Sequence, residues 1–308
     1  MMQPFHDVVL EDLYPSRSED NAGILPRLYP VVFQEPKDYG RGPLSHDLVS
    51  GYADNGFLFL EGVFSKGEVE DLRKCVEELL KSEGIRGRPT TITEESSDEI
   101  RSLFSIHALG GLLQSVSFDS RLVDIARFLL GDEVYIHQSR LNVKPAFHGK
   151  EFHWHSDFET WHIEDGMPRM RAVTCSLNLT DNTVFNGPLM LIPGSHRHFV
   201  SCLGQTPPDH YKTSLKRQEY GVPSDATLSR LISSGGIVEE EGSAGSVLFF
   251  DCNALHASNC NLSPWPRINL FVVYNSVSNS LGDPFSGMPP RPEFIGSRNF
   301  DRVVPLRR

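Results

Sequence analysis

The chain has 308 residues, of which 39% are hydrophobic and 22% are charged, a composition typical of folded globular proteins rather than disordered ones. A net charge of −11 without any basic stretch argues against a nucleic-acid partner, because such proteins neutralise phosphates with clustered Lys and Arg. No apolar run reaches the length of about 18 residues that a membrane-spanning helix needs, so no membrane partner is expected.

The N-terminal sequence and the cysteines bear on the compartment. The N-terminal stretch MMQPFHDVVLEDLYPSRSED contains neither a basic start nor an apolar run, so it does not resemble a secretory signal. The five cysteines are scattered and form no CxxC pair, which disfavours both a disulfide framework and a thiolate zinc site. We therefore expect a protein of the reducing cytoplasm.

The first elements in chain order are an extended arm and two helices. Residues 1–45 are rich in Pro, Gly and charge and show no sustained period, which predicts an N-terminal arm that wraps the domain or meets a partner. Ser65 and Glu68 form a capping-box pattern, which predicts a helix from there to about Gly84. A second helix is predicted over RLVDIARFLL, ending at Gly131.

From residue 134 onward the sequence is dominated by short strand-like runs, separated by Gly, Pro, Asn and Asp: VYIHQSRLNV, AVTCSLNLTD, GPLMLIPG, GSVLFFDC and RINLFVVYNS. Helices followed by many short strands indicate one mainly β (α+β) domain over residues 46–308, with a sandwich or barrel as its core. A jelly roll of the cupin type fits this pattern, because its two facing sheets leave a pocket between them.

The segment 152–168, FHWHSDFETWHIEDGMP, carries the densest set of possible metal ligands. His155 and Asp157 are two residues apart, so on a strand both side chains would point to the same face. His256 follows the strand-like run GSVLFFDC and is spaced to supply a third ligand from a neighbouring strand. Two histidines and one carboxylate form the facial triad of non-haem Fe(II) oxygenases, which leaves coordination positions open for a 2-oxo acid and dioxygen.

Other histidines offer alternatives to this triad. His153 shares the predicted strand face of His155, and the resulting HxHxD run also suits a zinc or manganese cupin without redox activity. His196 and His198, in PGSHRHF, are a further pair of possible ligands, although a histidine pair beside Gly and Pro is more often exposed to solvent. A polar His155 on a barrel face would need no metal at all.

Arg267 favours the iron interpretation. The turn-like stretch SNCNLSPWP lies between His256 and Arg267 and would bring the chain back antiparallel. A guanidinium near the metal is a natural bidentate partner for the distal carboxylate of 2-oxoglutarate, and Ser258 can add a hydroxyl to it. On the strand 134–145 every second residue is polar, and this face lines either a pocket or solvent: Gln138, Arg140, Asn142 and Lys144.

The stretch 152–199 closely resembles the signature of the ectoine hydroxylases, which belong to the phytanoyl-CoA-hydroxylase-like branch of the 2-oxoglutarate dioxygenases. HxD alone is shared by many dioxygenases, whereas HSDFETWHxEDGMP is highly specific. The segments DLYPSR, GFLFLEGVFS and FFDCNALHASN also resemble that family. The resemblance therefore spans nearly the whole chain.

The resemblance implies a double-stranded β-helix core with flanking helices, a homodimer, and an enzyme that hydroxylates ectoine to 5-hydroxyectoine. Ectoine is a compatible solute, so a role in the osmotic stress response is expected. Fe(II) is the implied cofactor, 2-oxoglutarate and dioxygen are the implied co-substrates, and succinate and CO2 are the implied by-products. A dioxygenase acting on another small zwitterion, and a non-redox metal cupin, are the alternatives.

The same resemblance implies the roles of individual residues. The iron ligands that it implies are the three residues that the spacing also indicates, His155, Asp157 and His256. The 2-oxoglutarate site is expected to comprise Lys144, Ser258, Arg267, Phe104 and Phe152. Of these, Phe152 has the opposite strand parity from His155. The ectoine site is expected to comprise Gln138, Trp161, Thr160 and Arg291, the last in a long loop near the C-terminus.

Overall fold

The computed structural model describes residues 11–19, 23–94, 98–216 and 220–307 of the chain. Its helices are α1 (His46–Asn55), α2 (Lys66–Lys81), α3 (Gly111–Ser117), α4 (Ser120–Leu130), α5 (Asp157–Thr160), α6 (Tyr211–Ser214) and α7 (Asp225–Gly235). A π-helical turn (Trp161–Asp165) continues α5 directly. No helix within these described ranges combines the length and the apolar character that crossing a bilayer requires.

Nine of the thirteen strands in the described residues lie from residue 134 onward, where the sequence predicts them. They are β1 (Ile24–Pro26), β2 (Phe57–Leu60), β3 (Thr91–Thr93), β4 (Ile100–Phe104), β5 (Val134–Lys144), β6 (Phe152–His155), β7 (Ala172–Asn178), β8 (Leu189–Leu191), β9 (His198–Val200), β10 (Val238–Glu239), β11 (Val247–Asp251), β12 (His256–Ser258) and β13 (Arg267–Ser276). Two antiparallel sheets form the body of the protein. The major sheet has the order β2-β11-β7-β13-β5-β4-β3, and the minor sheet has the order β10-β8-β12-β6.

The two sheets pack face to face. Leu189 and Leu191 of β8, in the minor sheet, form one apolar cluster with Leu248, Phe250 and Phe271 of the major sheet. The other face of the major sheet is covered by α1, α2, α3 and α4, which contribute to the largest apolar core. This arrangement confirms the predicted mainly β fold, a jelly-roll or double-stranded β-helix core with flanking helices.

Strand alternation decides which side chains reach the helices and which reach the space between the sheets. On β5, Leu141 is fully buried in the core beneath the helices. Its neighbours Arg140 and Asn142 point the opposite way and line a cavity between the sheets. The polar face of β5 therefore lines a pocket, the first of its two predicted interpretations.

Helix ends follow the predicted caps. Ser65 Oγ accepts the amide of Glu68, and the Glu68 carboxylate accepts the amide of Ser65, so the capping box before α2 is complete. The helix ends at Lys81, three residues before Gly84, where the sequence predicted its end. Gly131 adopts φ +59° after α4, a left-handed conformation that glycine reaches without steric cost.

The N-terminal arm lies against the body of the protein. Strand β1 pairs with β9, so this part of the arm joins the fold by backbone hydrogen bonds. Tyr14 is fully buried and its ring meets Phe158 edge to face at 5.4 Å. Helix α1 begins at His46, at the predicted end of the arm, whereas residues 1–10 lie outside the described ranges. The division into an arm (1–45) and one domain (46–308) stays a prediction.

Candidate metal centre and adjoining cavities

Three side chains converge at the β6 edge of the minor sheet. Strands β6 and β12 are antiparallel neighbours, and their register places His155 opposite His256. Asp157 Oδ1 lies 3.7 Å from His155 Nε2 and 3.9 Å from His256 Nε2. One ligand atom from each residue lies within 4.8 Å of the others, which is close enough for all three to bind a single ion.

Both imidazoles are oriented for metal binding. His155 Nδ1 bonds the carbonyl of His153 at 2.7 Å, and His256 Nδ1 bonds the carbonyl of Ala254 at 3.0 Å. These bonds fix each ring and leave Nε2 free to face Asp157, as in metal-binding histidines whose other nitrogen is held by the protein. Burial and the adjacent His256 lower the pKa of His155 to about 3, so its ring is the neutral form that a metal needs.

The local backbone around Asp157 differs from the prediction. Strand β6 ends at His155, and Asp157 is the first residue of α5. The prediction that both ligands share a strand face was wrong, although the two side chains do converge. The physical reason is Ser156, whose hydroxyl accepts the amide of Glu159 and starts a helical turn.

The rival histidines lie outside this cluster. Among the described residues, the group that could hold an ion consists of the three triad members and does not include His153. His198 is exposed, as expected, but His196 is fully buried and its Nε2 bonds the Ala53 carbonyl at 3.2 Å. The expectation that both histidines of this pair lie in solvent was therefore wrong for His196.

A cavity of strand residues, here called the sheet cavity, adjoins the triad; it is lined by Arg140, Asn142, Phe152, His155, Leu189, His256, Ser258, Arg267 and Phe271. Arg267 is 1% exposed, and its Nη2 donates to Asn142 Oδ1 at 2.6 Å. Arg267 Nε and Ser258 Oγ have no hydrogen-bond partner within the described ranges. Buried polar atoms without a partner are rare in folded proteins, and these two belong to residues that line one cavity.

Positive charge is in excess around the sheet cavity. Burial, together with the nearby Arg101 and Arg140, lowers the pKa of Arg267 to about 10 against the opposing effect of Glu240. Burial, then Arg267 and Arg101, also lower the pKa of Lys144. Neighbouring cations that lower one another's pKa values favour the binding of an anion. A carboxylate matches the planar guanidinium of Arg267.

Lys144 itself stands behind the sheet cavity rather than in its lining. Its Cα pairs with that of Arg267 across β5 and β13, which places both residues at the same end of the major sheet. The ammonium donates to the Lys150 carbonyl at 2.7 Å and to the Asn259 carbonyl. The predicted contact of Lys144 with 2-oxoglutarate stays a prediction.

Phe152 lines the sheet cavity despite its strand parity. The register between β12 and β6 pairs His256 with His155 but Ser258 with Phe152, so four residues of β6 span three of β12. This irregularity rotates the strand between the two positions, as a β-bulge does. Phe152 and His155 consequently face the same space.

A second space, the loop cavity, also adjoins the triad. Its lining combines strands with helices and loops: Ser102, Phe104, Gln138, Arg140, Phe152, His155, Asp157, Thr160, Trp161, His210, Ser214, Leu215 and Arg291. All four residues predicted for ectoine, and Phe104, are therefore in one lining. The two cavities share Arg140, Phe152 and His155, so they meet at the triad.

Several charged residues around the loop cavity were not assigned from the sequence. Asp165 accepts a bidentate ion pair from Arg291, at 2.8 and 2.6 Å. The Glu164 carboxylate forms a hydrogen bond with His210 Nδ1 at 2.9 Å and an ion pair with the guanidinium of Arg17. Both acids lie in the run HIEDGMP of the segment 152–168. The adjacent Glu and Asp in that motif are the sequence feature from which their role could have been predicted.

Comparison with known proteins adds three kinds of observation. Residues 52–269 match the family model described as Phytanoyl-CoA dioxygenase (PhyH). The ectoine dioxygenase of Bordetella bronchiseptica is 54% identical over 297 residues, which is 96% of each chain. The crystal structure of EctD from S. alaskensis with 2-oxoglutarate and 5-hydroxyectoine is 46% identical, with a TM-score of 0.87, over 96% of this chain and 99% of that one.

The same EctD with bound Fe superposes with a TM-score of 0.86, at 46% identity and the same coverage of both chains. The match of the family model spans well over half of the chain, and both the relative and the solved structures are matched over nearly their whole length. The chain therefore belongs to the phytanoyl-CoA dioxygenase (PhyH) family and, within it, groups with the ectoine dioxygenases.

Proposed function

We propose that this protein is an Fe(II)- and 2-oxoglutarate-dependent dioxygenase that hydroxylates ectoine to 5-hydroxyectoine and releases succinate and CO2. The observation that carries the proposal is the buried cluster of His155, Asp157 and His256, placed where a cation-rich cavity meets a cavity with an indole wall. The similarity to ectoine dioxygenases supports the choice of substrate.

The three residues of the cluster would hold Fe(II) through the two Nε2 atoms and one carboxylate oxygen. A facial triad leaves the remaining positions to small molecules, and the bound iron would supply the chemistry that activates dioxygen. The chain's own contribution is orientation, since the carbonyls of His153 and Ala254 hold the two rings in place.

2-Oxoglutarate would lie in the sheet cavity. Arg267 would receive its distal carboxylate, because the guanidinium is buried and its Nε lacks a partner within the described part of the chain. Ser258 would donate its hydroxyl to the same carboxylate. Lys144 would add positive charge from behind, and Phe104 and Phe152 would exclude water from the chelating end.

Ectoine would occupy the loop cavity. Trp161, which is 3% exposed, offers an indole surface to the delocalised cationic ring, an attraction on the order of 1–2 kcal/mol. Arg291 would meet the carboxylate of ectoine, while Gln138 and Thr160 would contact its polar groups. Opposite charges at the two ends of the substrate would then orient one ring carbon toward the metal.

A homodimer is also part of the proposal. Phe147, Leu262 and Trp265 are 58%, 78% and 60% exposed, and the Phe147 amide bonds the Ser263 carbonyl at 3.0 Å, which brings their two turns together. Exposed apolar side chains grouped in this way favour association. In analytical ultracentrifugation, Leu262→Glu should convert a dimer to a monomer, and a dimer that persists would move the interface elsewhere.

We also propose a cytoplasmic enzyme of the osmotic stress response. All five cysteines are free, which suits a reducing compartment. Deletion of the gene in its host should abolish salt-induced 5-hydroxyectoine while leaving ectoine. Unchanged 5-hydroxyectoine would refute the physiological role.

The experiment that tests the activity measures succinate formation across a substrate panel. The enzyme is purified anaerobically, loaded with Fe(II), and supplied with 2-oxoglutarate and ectoine, 5-hydroxyectoine or proline. Ectoine should give the largest stimulation of succinate, together with 5-hydroxyectoine identified by NMR. Stimulation by another zwitterion alone would keep the enzyme class and change the substrate. The absence of iron-dependent succinate would refute the class.

A further inference from the structure

Arg17 of the N-terminal arm is buried beside the loop cavity although it does not line it. The residue is 5% exposed. Its guanidinium binds Glu159 in bidentate fashion, with Nε to Oε1 at 3.0 Å and Nη2 to Oε2 at 2.8 Å. Nη2 also donates to Thr160 Oγ1 at 3.1 Å, and Nη1 donates to Glu164. Every side-chain nitrogen of Arg17 is therefore used.

The partners of Arg17 belong to one functional segment, α5 and its π-helical continuation. This segment begins with Asp157, and it places Thr160 and Trp161 in the lining of the loop cavity. Glu159 and Glu164 lie on either side of those two residues, so one guanidinium holds the segment at two points. A π-helical turn is rare and is frequently found at functional sites.

The contacts continue to Arg291. Glu164 Oε2 lies 3.9 Å from Arg291 Nε, while Arg291 makes its closer, bidentate pair with Asp165. Without Arg17, the buried Glu164 carboxylate would keep its bond to His210 but lose its guanidinium partner, and Arg291 would be the nearest remaining guanidinium. Arg291 would then be drawn from Asp165 toward Glu164, away from its position at the cavity.

The arm holds Arg17 in a defined place. The Arg17 amide bonds the Cys202 carbonyl at 2.8 Å, and its backbone adopts φ +57°, which is uncommon for a residue other than glycine. Ser16 Oγ adds a bond to Glu159 Oε1 at 2.7 Å. The guanidinium is thus held in place by contacts of the arm itself.

Building on the function proposed above, we propose that Arg17 is a positioning residue for the ectoine side of the active site, so that the N-terminal arm completes the enzyme. It acts through Glu159 and Glu164 on Thr160, Trp161 and Arg291. None of its partners lines the sheet cavity, so the 2-oxoglutarate side should be independent of it.

The test compares Arg17→Gln and Arg17→Lys with the wild type, and uses Arg27→Gln as the matched control. Arg27 is an arginine of the same arm whose side chain is buried, and its ion pair, 2.8 Å to Asp251, involves none of the partners of Arg17. The measurements are the KM values for ectoine and 2-oxoglutarate, the 2-oxoglutarate consumed per 5-hydroxyectoine formed, and calorimetric ectoine binding to the anaerobic Fe(II)–2-oxoglutarate enzyme.

For Arg17→Gln we expect the ectoine KM and the calorimetric Kd to rise about tenfold or more, because small displacements in a site have large effects. The 2-oxoglutarate KM should change less than twofold, and more 2-oxoglutarate should be consumed per product. Arg17→Lys keeps the positive charge but loses the bidentate guanidinium, so its ectoine KM and Kd should lie between those of wild type and Arg17→Gln. Arg27→Gln should lower the Tm without separating the two KM values.

Equal changes in both KM values, or an Arg17→Gln enzyme with wild-type ectoine binding and coupling, would overturn the role of Arg17. If Arg17→Gln does not fold, Arg17→Lys decides by the same split between the two KM values. A wild type that forms no 5-hydroxyectoine would instead refute the proposed function, so the two failures are distinguishable.

Discussion

The two cavities that meet at the triad are built in different ways. Every residue that lines the sheet cavity belongs to a β-strand of the two packed sheets. The loop cavity draws much of its lining from α5, α6 and a loop near the C-terminus, and the ion pairs of Arg17 and Arg291 hold its wall. A shared co-substrate can be bound by a rigid sheet, whereas the particular substrate is met by segments that vary without disturbing the core.

The largest expected effect is at the junction of the cavities. Asp157→Ala should reduce iron content and lower 5-hydroxyectoine formation by at least about a thousandfold, because a facial triad with one ligand missing no longer holds the metal correctly. His153→Ala is the matched control. Because His153 lies outside the cluster, this variant enzyme should keep its iron. Loss of bound metal in His153→Ala would favour the HxHxD alternative.

In the sheet cavity, Arg267→Ala should raise the 2-oxoglutarate KM by about a hundredfold, equivalent to roughly 3 kcal/mol for a charge-assisted bidentate contact. Calorimetric ectoine affinity should change little. Arg267→Lys should recover part of the loss, because it keeps the charge without the planar fork. A rise in the ectoine Kd with an unchanged 2-oxoglutarate KM would move Arg267 to the substrate side.

In the loop cavity, Trp161→Leu should raise the ectoine KM by about tenfold while the 2-oxoglutarate KM stays near its wild-type value, since an indole–cation contact contributes 1–2 kcal/mol at most sites of this kind. Trp161→Phe keeps an aromatic face and should lose less. If both variants affect only the 2-oxoglutarate KM, the assignment of the two cavities is reversed.

The ion pairs behind the loop cavity give the smallest expected effect, on stability. Burial alone would raise the pKa of Glu164, but the bond from His210 and the charges of Arg291 and Arg17 lower it from 4.5 to about 2. Because the folded-state pKa lies below the unfolded one, this stabilisation is fully present above about pH 5 and is lost as the pH falls toward 2.

Glu164→Gln should therefore lower the free energy of unfolding most above pH 5, by an amount on the order of 2 kcal/mol. The accompanying drop in Tm relative to wild type should shrink toward pH 3. Thermal unfolding measured across that range checks this. A Tm difference that does not depend on pH would mean that the charge of Glu164 does not stabilise the fold.

Sequence spacing predicted the sheet cavity well because β-strands have a simple period. Alternation on β5 identified Arg140 and Asn142 as one face, and the return of the chain after His256 placed Arg267 beside them. The missing detail was the irregular register of β6, which no alternation rule reveals and which lets Phe152 join the lining.

The lining of the loop cavity could be predicted from the sequence only in part. Trp161 and Arg291 came from a family signature rather than from a physical rule, and both line the cavity. The π-helical turn and the clamp by Arg17 were not predicted, because Arg17 and Glu159 are separated by 142 residues and no local pattern links them. Contacts of that range depend on the tertiary fold.

The central claim is that the triad inserts one oxygen atom from dioxygen into ectoine. The direct measurement is mass spectrometry of the product formed by the Fe(II) enzyme from ectoine, 2-oxoglutarate and isotopically labelled dioxygen. We predict a product that carries one labelled oxygen and is absent without 2-oxoglutarate. A product with no added oxygen, or an oxygen derived only from water, would contradict it.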